Sequence, residues 1–387
     1  MSAFAFSGDD LAYLERSGMF QPAFLDYLQV LKFGGDVRAL AEGTLFFPGE
    51  PILEITAPLI QAQLLETYLI NTLGLASMLA TKAARCVHAA GGRSLIDFSL
   101  RRTQGADAGL AMARSSYLAG FDATSNVLAG KQLGIPVSGT MAHSFVMAYK
   151  SEIDAFRAYA RLFPQRTILL IDTYDTLEGA RKAARVAKEM QARGEQLLGV
   201  RLDSGDLVAL AGEVRRILDG TGLQGVKVFA SGGYDEYQLA DTLARQAPID
   251  AFGVGTKAGV SSDAPYMDMV YKLVRYDGRE VRKTSSGKAT LAGSKQVWRL
   301  GGQDGRLSED ILGLLEESRN EGTPLLHPVM RAGRLMRPHP SLEDIRRAFS
   351  ANFKCLPDAC KRLDDPVNYP VRVSRALKAA QPAGQGT

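Results

Sequence analysis

LLGVRLDSGDLVALAGEVRRILD, residues 197–219, opens on an apolar run, crosses a short polar loop and closes on an amphipathic helix. Asp206 stands where a helix N-cap belongs, and Leu207, Leu210, Val214 and Ile217 fall on one helical face behind it. The same rhythm precedes it in TILLIDTYDTLEGARKAARVAKEM (167–190). It follows again in VKVFASGGYDEYQLADTLAR (226–245), where Asp235 and Gln238 have capping-box spacing. IDAFGVGTKAG (249–259) supplies a fourth strand and its loop. Strands alternating with helices predict parallel βαβ units, and strands that each end in Asp, Ser, Thr or Gly predict one polar edge. The expected fold class is therefore α/β, an irregular TIM-like α/β barrel whose strand C-terminal loops carry the site. An open doubly wound sheet is the alternative, although no GxGxxG opens the first unit.

The ends of the chain have a different texture. TLFFPGEPILEIT (44–56) reads as a strand-like, hairpin-like run punctuated by Pro48 and Pro51. From Leu59 to about Ala90 the pattern is helical and stops at Gly91-Gly92, with Cys86 and His88 expected as buried packing. YKLVRYDGREVRK (271–283) and KQVWRL (295–300) read as strands of a second domain shared with the N-terminal segment. The expected boundaries are residues 1–95 with 270–350 for that domain, 96–269 for the barrel, and 351–387 for a C-terminal extension ending in a loose tail.

Composition bounds the function. Apolar residues make up 46% and charged ones 23%, ordinary values for a globular chain of 387 residues. Forty-six basic against 42 acidic side chains leave +4 with no long run of either sign, so no nucleic-acid or membrane partner is expected. Cys86, Cys355 and Cys360 form no CxxC pair and cannot supply the four thiolates of a zinc knuckle, so no structural zinc is expected and a cytoplasmic, reducing setting is. No stretch has the length of a membrane span, and the first residues lack the order of a secretory signal.

Candidate chemistry gathers at the predicted strand ends. RLDSGDL (201–207) packs Arg201, Asp203, Ser204 and Asp206 into one turn. Its carboxylates suit Mg²⁺ and its arginine suits a carboxylate or phosphate; equally, Asp206 caps the helix and Arg201 pairs with Asp203. Ser231-Gly232-Gly233 and the 253–259 run GVGTKAG are glycine-rich turns on the last two strands, where barrels hold phosphate. Arg101-Arg102 begins a loop suited to a second anionic group, with a solvated surface pair as the other reading. In GTMAHSF (139–145), Thr140 and His143 follow an apolar run; histidines in such places are more often structural than chemical. On the residues alone, a phosphate-handling aldolase or isomerase also fits, although no lysine in an apolar strand-end setting favours Schiff-base chemistry.

The long stretch KAARCVHAAGGRSLIDFSLRRTQGADAGLAMARSSYLAGFDATSNVLAGKQLGIPVSGTMAHSF (82–145), followed in order by LIDTYDTLEGA, GVRLDSGDL, FASGGYDE and AFGVGTKAG, resembles the nicotinate phosphoribosyltransferases. The resemblance spans roughly residues 45 to 375. It implies a type II phosphoribosyltransferase, a barrel packed on an α/β sandwich built from both chain ends. It implies ATP-linked transfer of phosphoribosyl from 5-phosphoribosyl 1-diphosphate to nicotinate, with Mg²⁺, in a homodimer or higher homo-oligomer. Residue by residue, it implies that His143 is phosphorylated by ATP and that Thr140, Arg201 and Phe98 hold nicotinate, Phe98 by stacking. It places Asp203 in the ribose and metal region, with Asp206 as a second metal ligand. Arg101 falls near the ribose diphosphate, and Ser231, Gly232, Gly233, Gly253, Gly255 and Thr256 fall on the 5-phosphate. Family members commonly carry a Tyr-containing segment ahead of the residues matched at MSAFAFSGDDLAYLERSG. That departure, and the near identity of the two acceptors, leave a nicotinamide phosphoribosyltransferase and a non-catalytic phosphoribosyl-diphosphate-binding protein as alternatives.

Overall fold

The structure, a computed structural model, describes residues 4–285 and 290–381. The chain forms two compact units: Met1–Leu73 with Asp268–Arg362 and Pro366–Thr387, and Gly74–Met267 with Leu363–Asp365.

The second unit holds a six-stranded parallel sheet, four of whose strands are those read from the strand–loop–helix rhythm. Its strands are β1 (Ser94–Asp97), β2 (Ala123–Thr124), β3 (Ile168–Leu170), β4 (Gly199–Leu202), β5 (Lys227–Ser231) and β6 (Ala251–Val254), in the spatial order β2-β1-β6-β5-β4-β3. The sheet curls into a half-barrel. Every pairing is parallel, so all six strand C-termini lie on one edge. The strands are buried nearly throughout (Leu169, Val200, Val228 and Phe252 are all 0% exposed), which explains their continuous apolar runs.

Six helices matter here: α1 (Glu66–Ala89), α2 (His143–Met147), α3 (Thr176–Ala192), α4 (Leu207–Gly220), α5 (Glu236–Ala244) and α6 (Thr256–Gly259). Asp175 caps α3, Asp206 caps α4 through the Ala209 N–H, and Asp235 caps α5 through Tyr237 and Gln238. The capping box at α5 is only half made, because the Gln238 amide oxygen accepts from Lys257 instead of turning back. The buried stripe of α4 centres on Ala211, Val214 and Leu218, one position round from the face read in the sequence. After α1 the chain turns through Gly91 and Gly92, both left-handed as the stop signal requires. Cys86 is buried as expected, but His88 is exposed. The apolar run before GTMAHSF is no strand; Val137 makes a single parallel bridge to Thr124.

The first unit contains two four-stranded sheets. One pairs Asp36–Leu40 antiparallel with Leu53–Thr56 and with Leu326–Arg331, and the other pairs Lys295–Gly301 antiparallel with Leu307–Leu314. The strand expected over 44–56 is reduced to Leu53–Thr56, because Pro48 and Pro51 withhold the N–H groups a ladder needs. Within 271–283 only Arg275–Tyr276 and Arg279–Glu280 pair. Residues 74–95, expected in this unit, lie in the other. The stretch beyond 350, expected as an extension, instead supplies Val371–Val373, which pairs parallel with Leu307–Leu314. The tail read as loose, 375–387, begins instead with a short helix, Arg375–Ala379, capped by Ser374 and anchored by the fully buried Leu377, while residues 382–387 lie outside the described residues.

Candidate active site

Arg201, the third residue of β4, is the hub of the strand C-terminal edge. Its Nε donates to Ser231 Oγ at 2.8 Å, its Nη1 to Thr140 Oγ1 at 2.8 Å and its Nη2 to Asp203 Oδ1 at 2.9 Å. The guanidinium carbon lies 5.1 Å from the centre of the Phe98 ring, a cation–π arrangement. Phe98, Asp203 and Ser231 stand at the ends of β1, β4 and β5, and Thr140 comes from the connection after β2; Phe98, Thr140, Arg201 and Ser231 line a small pocket together with Ser138 and Gly253. The rigid fork of an arginine, held on three sides and faced by an aromatic ring, suits a flat acceptor bearing a carboxylate.

Asp203 joins Arg201 to the rest of the edge. Ser231 Oγ donates to its Oδ1 at 2.5 Å, and His143 Nε2 lies 3.7 Å from its Oδ2. Burial opposes charge on this carboxyl, but the Ser231 hydrogen bond and the Arg201 guanidinium outweigh it and hold the group below the usual carboxylate range. His143, at the start of α2, has its Nδ1 3.1 Å from Thr173 Oγ1. The imidazole is therefore oriented from one side by Thr173 and faces Asp203 on the other, with 40% of the side chain open to solvent. An oriented, accessible imidazole beside a carboxylate is able to act as a nucleophile.

Asp172 and Thr173, just beyond β3, belong to this constellation and were not singled out in the sequence. Asp172 accepts the Asp203 N–H at 2.8 Å and the Ser204 hydroxyl at 2.6 Å, while its buried Oδ1 has no partner. The only signal was position, since both residues sit at a strand end in LIDTYD, where the other site residues also sit.

The two glycine turns are brought side by side. Ser231 pairs in register with Gly253, and Phe98 donates its N–H to the Val254 carbonyl at 2.8 Å. Gly232, at φ +109°, passes so close to β4 that a Cβ would stand 2.3 Å from the Asp203 carbonyl oxygen. Gly233 follows at φ +81°, Gly255 precedes α6, and Thr256 begins it.

Two expected residues stand apart. Arg101 is exposed in the Leu100–Arg102 turn. Asp206 is engaged as the α4 cap, with Arg245 Nη2 4.0 Å away and 62% of its side chain exposed. Both readings of RLDSGDL that named a cap and an Arg201–Asp203 pair are thus realised, while Asp206 does not join Asp203. Among the described residues no group of three or more His, Cys, Asp or Glu side chains gathers as a metal site. Among the described residues no helix is long and apolar enough to cross a membrane.

A curled parallel sheet with its polar groups on the strand C-terminal edge, and adjacent glycine turns on its last two strands, has the layout of α/β-barrel enzymes that handle phosphorylated ligands. Comparison with known proteins is more specific. Residues 1–74, 93–290 and 318–381 match the models of the nicotinate phosphoribosyltransferase N-terminal domain, family and C-terminal domain. The nicotinate phosphoribosyltransferase pncB2 of Mycobacterium tuberculosis is 48% identical over 377 residues, 97% of this chain and 80% of that protein. The nicotinate phosphoribosyltransferase of Bacillus subtilis is 39% identical over 96% of this chain and 81% of its own length. The crystal structure of the human nicotinic acid phosphoribosyltransferase superposes with a TM-score of 0.85 at 32% identity, covering 97% of this chain and 88% of that one. The chain belongs to the nicotinate phosphoribosyltransferase family of enzymes.

Proposed function

We propose that the protein transfers phosphoribosyl from 5-phosphoribosyl 1-diphosphate to nicotinate, giving nicotinate mononucleotide and diphosphate for NAD biosynthesis, with ATP as co-substrate. The observation that carries this reading is the Arg201 hub: a guanidinium fixed by Thr140, Ser231 and Asp203 and faced by Phe98. Nicotinate would lie against the Phe98 ring with its carboxylate toward Arg201 and Thr140. The 5-phosphate would sit in the turns at Ser231-Gly232-Gly233 and at Gly253, Gly255 and Thr256, where backbone N–H groups approach an anion without side-chain interference. Arg101, open to solvent, is the cation assigned to the diphosphate.

The reaction asks little proton transfer of the protein. The C1–O bond to diphosphate breaks, the bond from the pyridine nitrogen to C1 forms, and the nicotinate ring takes up the positive charge. What the residues supply is orientation of two anionic substrates and a fixed polar setting for the charge that develops. Asp203, held ionised by Arg201 and Ser231, stands ready for the cationic ribose ring. Mg²⁺ commonly takes one or two carboxylates and completes its shell with substrate oxygens and water. Asp203 and the partly unsatisfied Asp172 fit that demand, whereas Asp206 is occupied as a cap. When bound, Mg²⁺ would neutralise the departing diphosphate.

ATP enters through His143. The γ-phosphorus would form a bond to an imidazole nitrogen as the bond to ADP breaks, and later hydrolysis would release phosphate. A phosphohistidine beside Asp203 adds negative charge where substrate and metal bind, which gives ATP a way to change substrate affinity. We place the enzyme in the cytoplasm as a homodimer or higher oligomer, following the family resemblance.

Mass-spectrometric detection of nicotinate mononucleotide from nicotinate, 5-phosphoribosyl 1-diphosphate and Mg²⁺, with and without ATP, tests the proposal. Faster turnover of nicotinamide would overturn the acceptor, and ligand binding in calorimetry without product would establish a non-catalytic binder instead.

A further inference from the structure

Two ion-pair clusters outside the pocket join the same two segments. One segment runs from the 231–233 turn into the first residues of α5, and the other from the 253–256 turn through α6 to Asp263. In the outer cluster Lys257 Nζ of α6 donates to Asp235 Oδ2 and to Gln238 Oε1, both at 3.0 Å. In the inner one, Lys82 of α1 is buried between Glu236 Oε2 at 2.7 Å and Asp263 Oδ1 at 2.5 Å. Arg85 adds a bond from its Nε to Glu236 Oε1 at 2.8 Å, and Glu236 is fully buried.

Buried ion pairs gain little over apolar packing, because removing both charges from water offsets their attraction. Stability alone is therefore a weak reason for two clusters on one pair of segments. Their position offers a better one. The turns are registered at Ser231 and Gly253, and beyond that register the two clusters tie the segments together, beside the Tyr234 ring packed edge-on against Phe252. Asp235 and Glu236 also place two carboxylates directly after Gly233 and Tyr234. Left without cations, they would repel an anion held in the turn; Lys257, Lys82 and Arg85 cancel that charge.

We propose that Lys257 is a positioning residue for the phosphate-holding turns: through Asp235 it clamps the 231–238 segment to the 253–263 segment and neutralises the carboxylate two residues beyond Gly233. The inference rests on the assignment of these turns to the ribose 5-phosphate. Because Lys257 is 37% exposed, its loss should hardly move the melting temperature.

The test uses the full chain with Lys257→Gln, Asp235→Asn and the double variant; Asn keeps the oxygen that caps α5 while removing the charge. Lys257→Gln should raise the KM for 5-phosphoribosyl 1-diphosphate about tenfold, the scale of a modest misplacement of a bound group, with the nicotinate KM unchanged. The double variant should be no worse than Lys257→Gln alone, because the lysine acts through Asp235. An unchanged KM for 5-phosphoribosyl 1-diphosphate overturns the inference. So do additive effects in the double variant, which would mean that Lys257 touches the phosphate directly. If the wild-type chain makes no nicotinate mononucleotide, the reaction assignment itself fails; if the wild type turns over and the variants match it, only the clamp fails.

Discussion

The Phe98 ring occupies the space that a side chain at Gly253 would fill: a Cβ there would lie 2.5 Å from both Cδ2 and Cε2 of the ring. The ring that faces Arg201 is thus seated on the backbone of the neighbouring strand, and the pocket at Arg201 shares a wall with the second glycine turn. Gly253→Ala should push the ring off this seat. An overpacked site of this kind costs about 1–3 kcal/mol. We expect a lower melting temperature by calorimetry and a raised nicotinate KM, and an unaltered nicotinate KM would show that the ring is not part of the acceptor site.

His143→Ala should abolish phosphorylation of the protein by ATP and remove ATP stimulation, leaving some ATP-independent transfer. Thr173→Val should weaken both effects without eliminating them, because it removes the hydroxyl 3.1 Å from Nδ1 but not the imidazole. Radiolabelled ATP followed by acid treatment reads this out; an acid-labile phosphate surviving in His143→Ala refutes the assignment.

Asp203 predicts an acid limb. Burial disfavours its charge, yet Ser231 and Arg201 hold its folded-state pKa below the unfolded value. The stability it contributes is therefore present above the unfolded pKa and is lost as pH falls through the folded one. Chemical denaturation from neutral to strongly acidic pH should show Asp203→Asn losing less stability than the wild type on acidification, and parallel curves would count against the pairing.

Glu50 predicts the opposite slope in the other unit. Burial first, and then the neighbouring Asp310, push its carboxyl up to about 8. Its proton favours the fold fully below the unfolded value near 4.5, and this contribution falls away as pH rises toward 8. Glu50→Gln, which keeps a donor without a titrating proton, should flatten the decline in stability between these limits. Equal slopes for the two proteins, measured by urea denaturation, would disprove the shift.

The α/β class was legible because it is written locally. Each of the three units from 167 to 245 carries its apolar strand, its polar loop and its capping aspartate within about two dozen residues, and Asp206 and Asp235 cap their helices as read. Local signals failed where neighbours in space competed with neighbours in sequence. Gln238 left its capping box for Lys257, nineteen residues away, and the apolar run at 44–52 could not pair through its prolines. His88, placed inside by the pattern of α1, is exposed.

The sequence by itself determined the order of strands and helices, the polar character of every strand end and the family to which the chain belongs, since these rest on periodicity and on contiguous motifs. Only the tertiary structure decided which of those strand ends meet. Arg201, Thr140, Ser231 and Phe98 are scattered over more than a hundred residues, and a parallel sheet in the order β2-β1-β6-β5-β4-β3 brings them to one guanidinium. The same folding drew Asp172 and Thr173 into the site and left Asp206 and Arg101 outside the Arg201 hub. Hydrogen bonds and ion pairs act over a few ångströms, and distance along the chain says nothing about those.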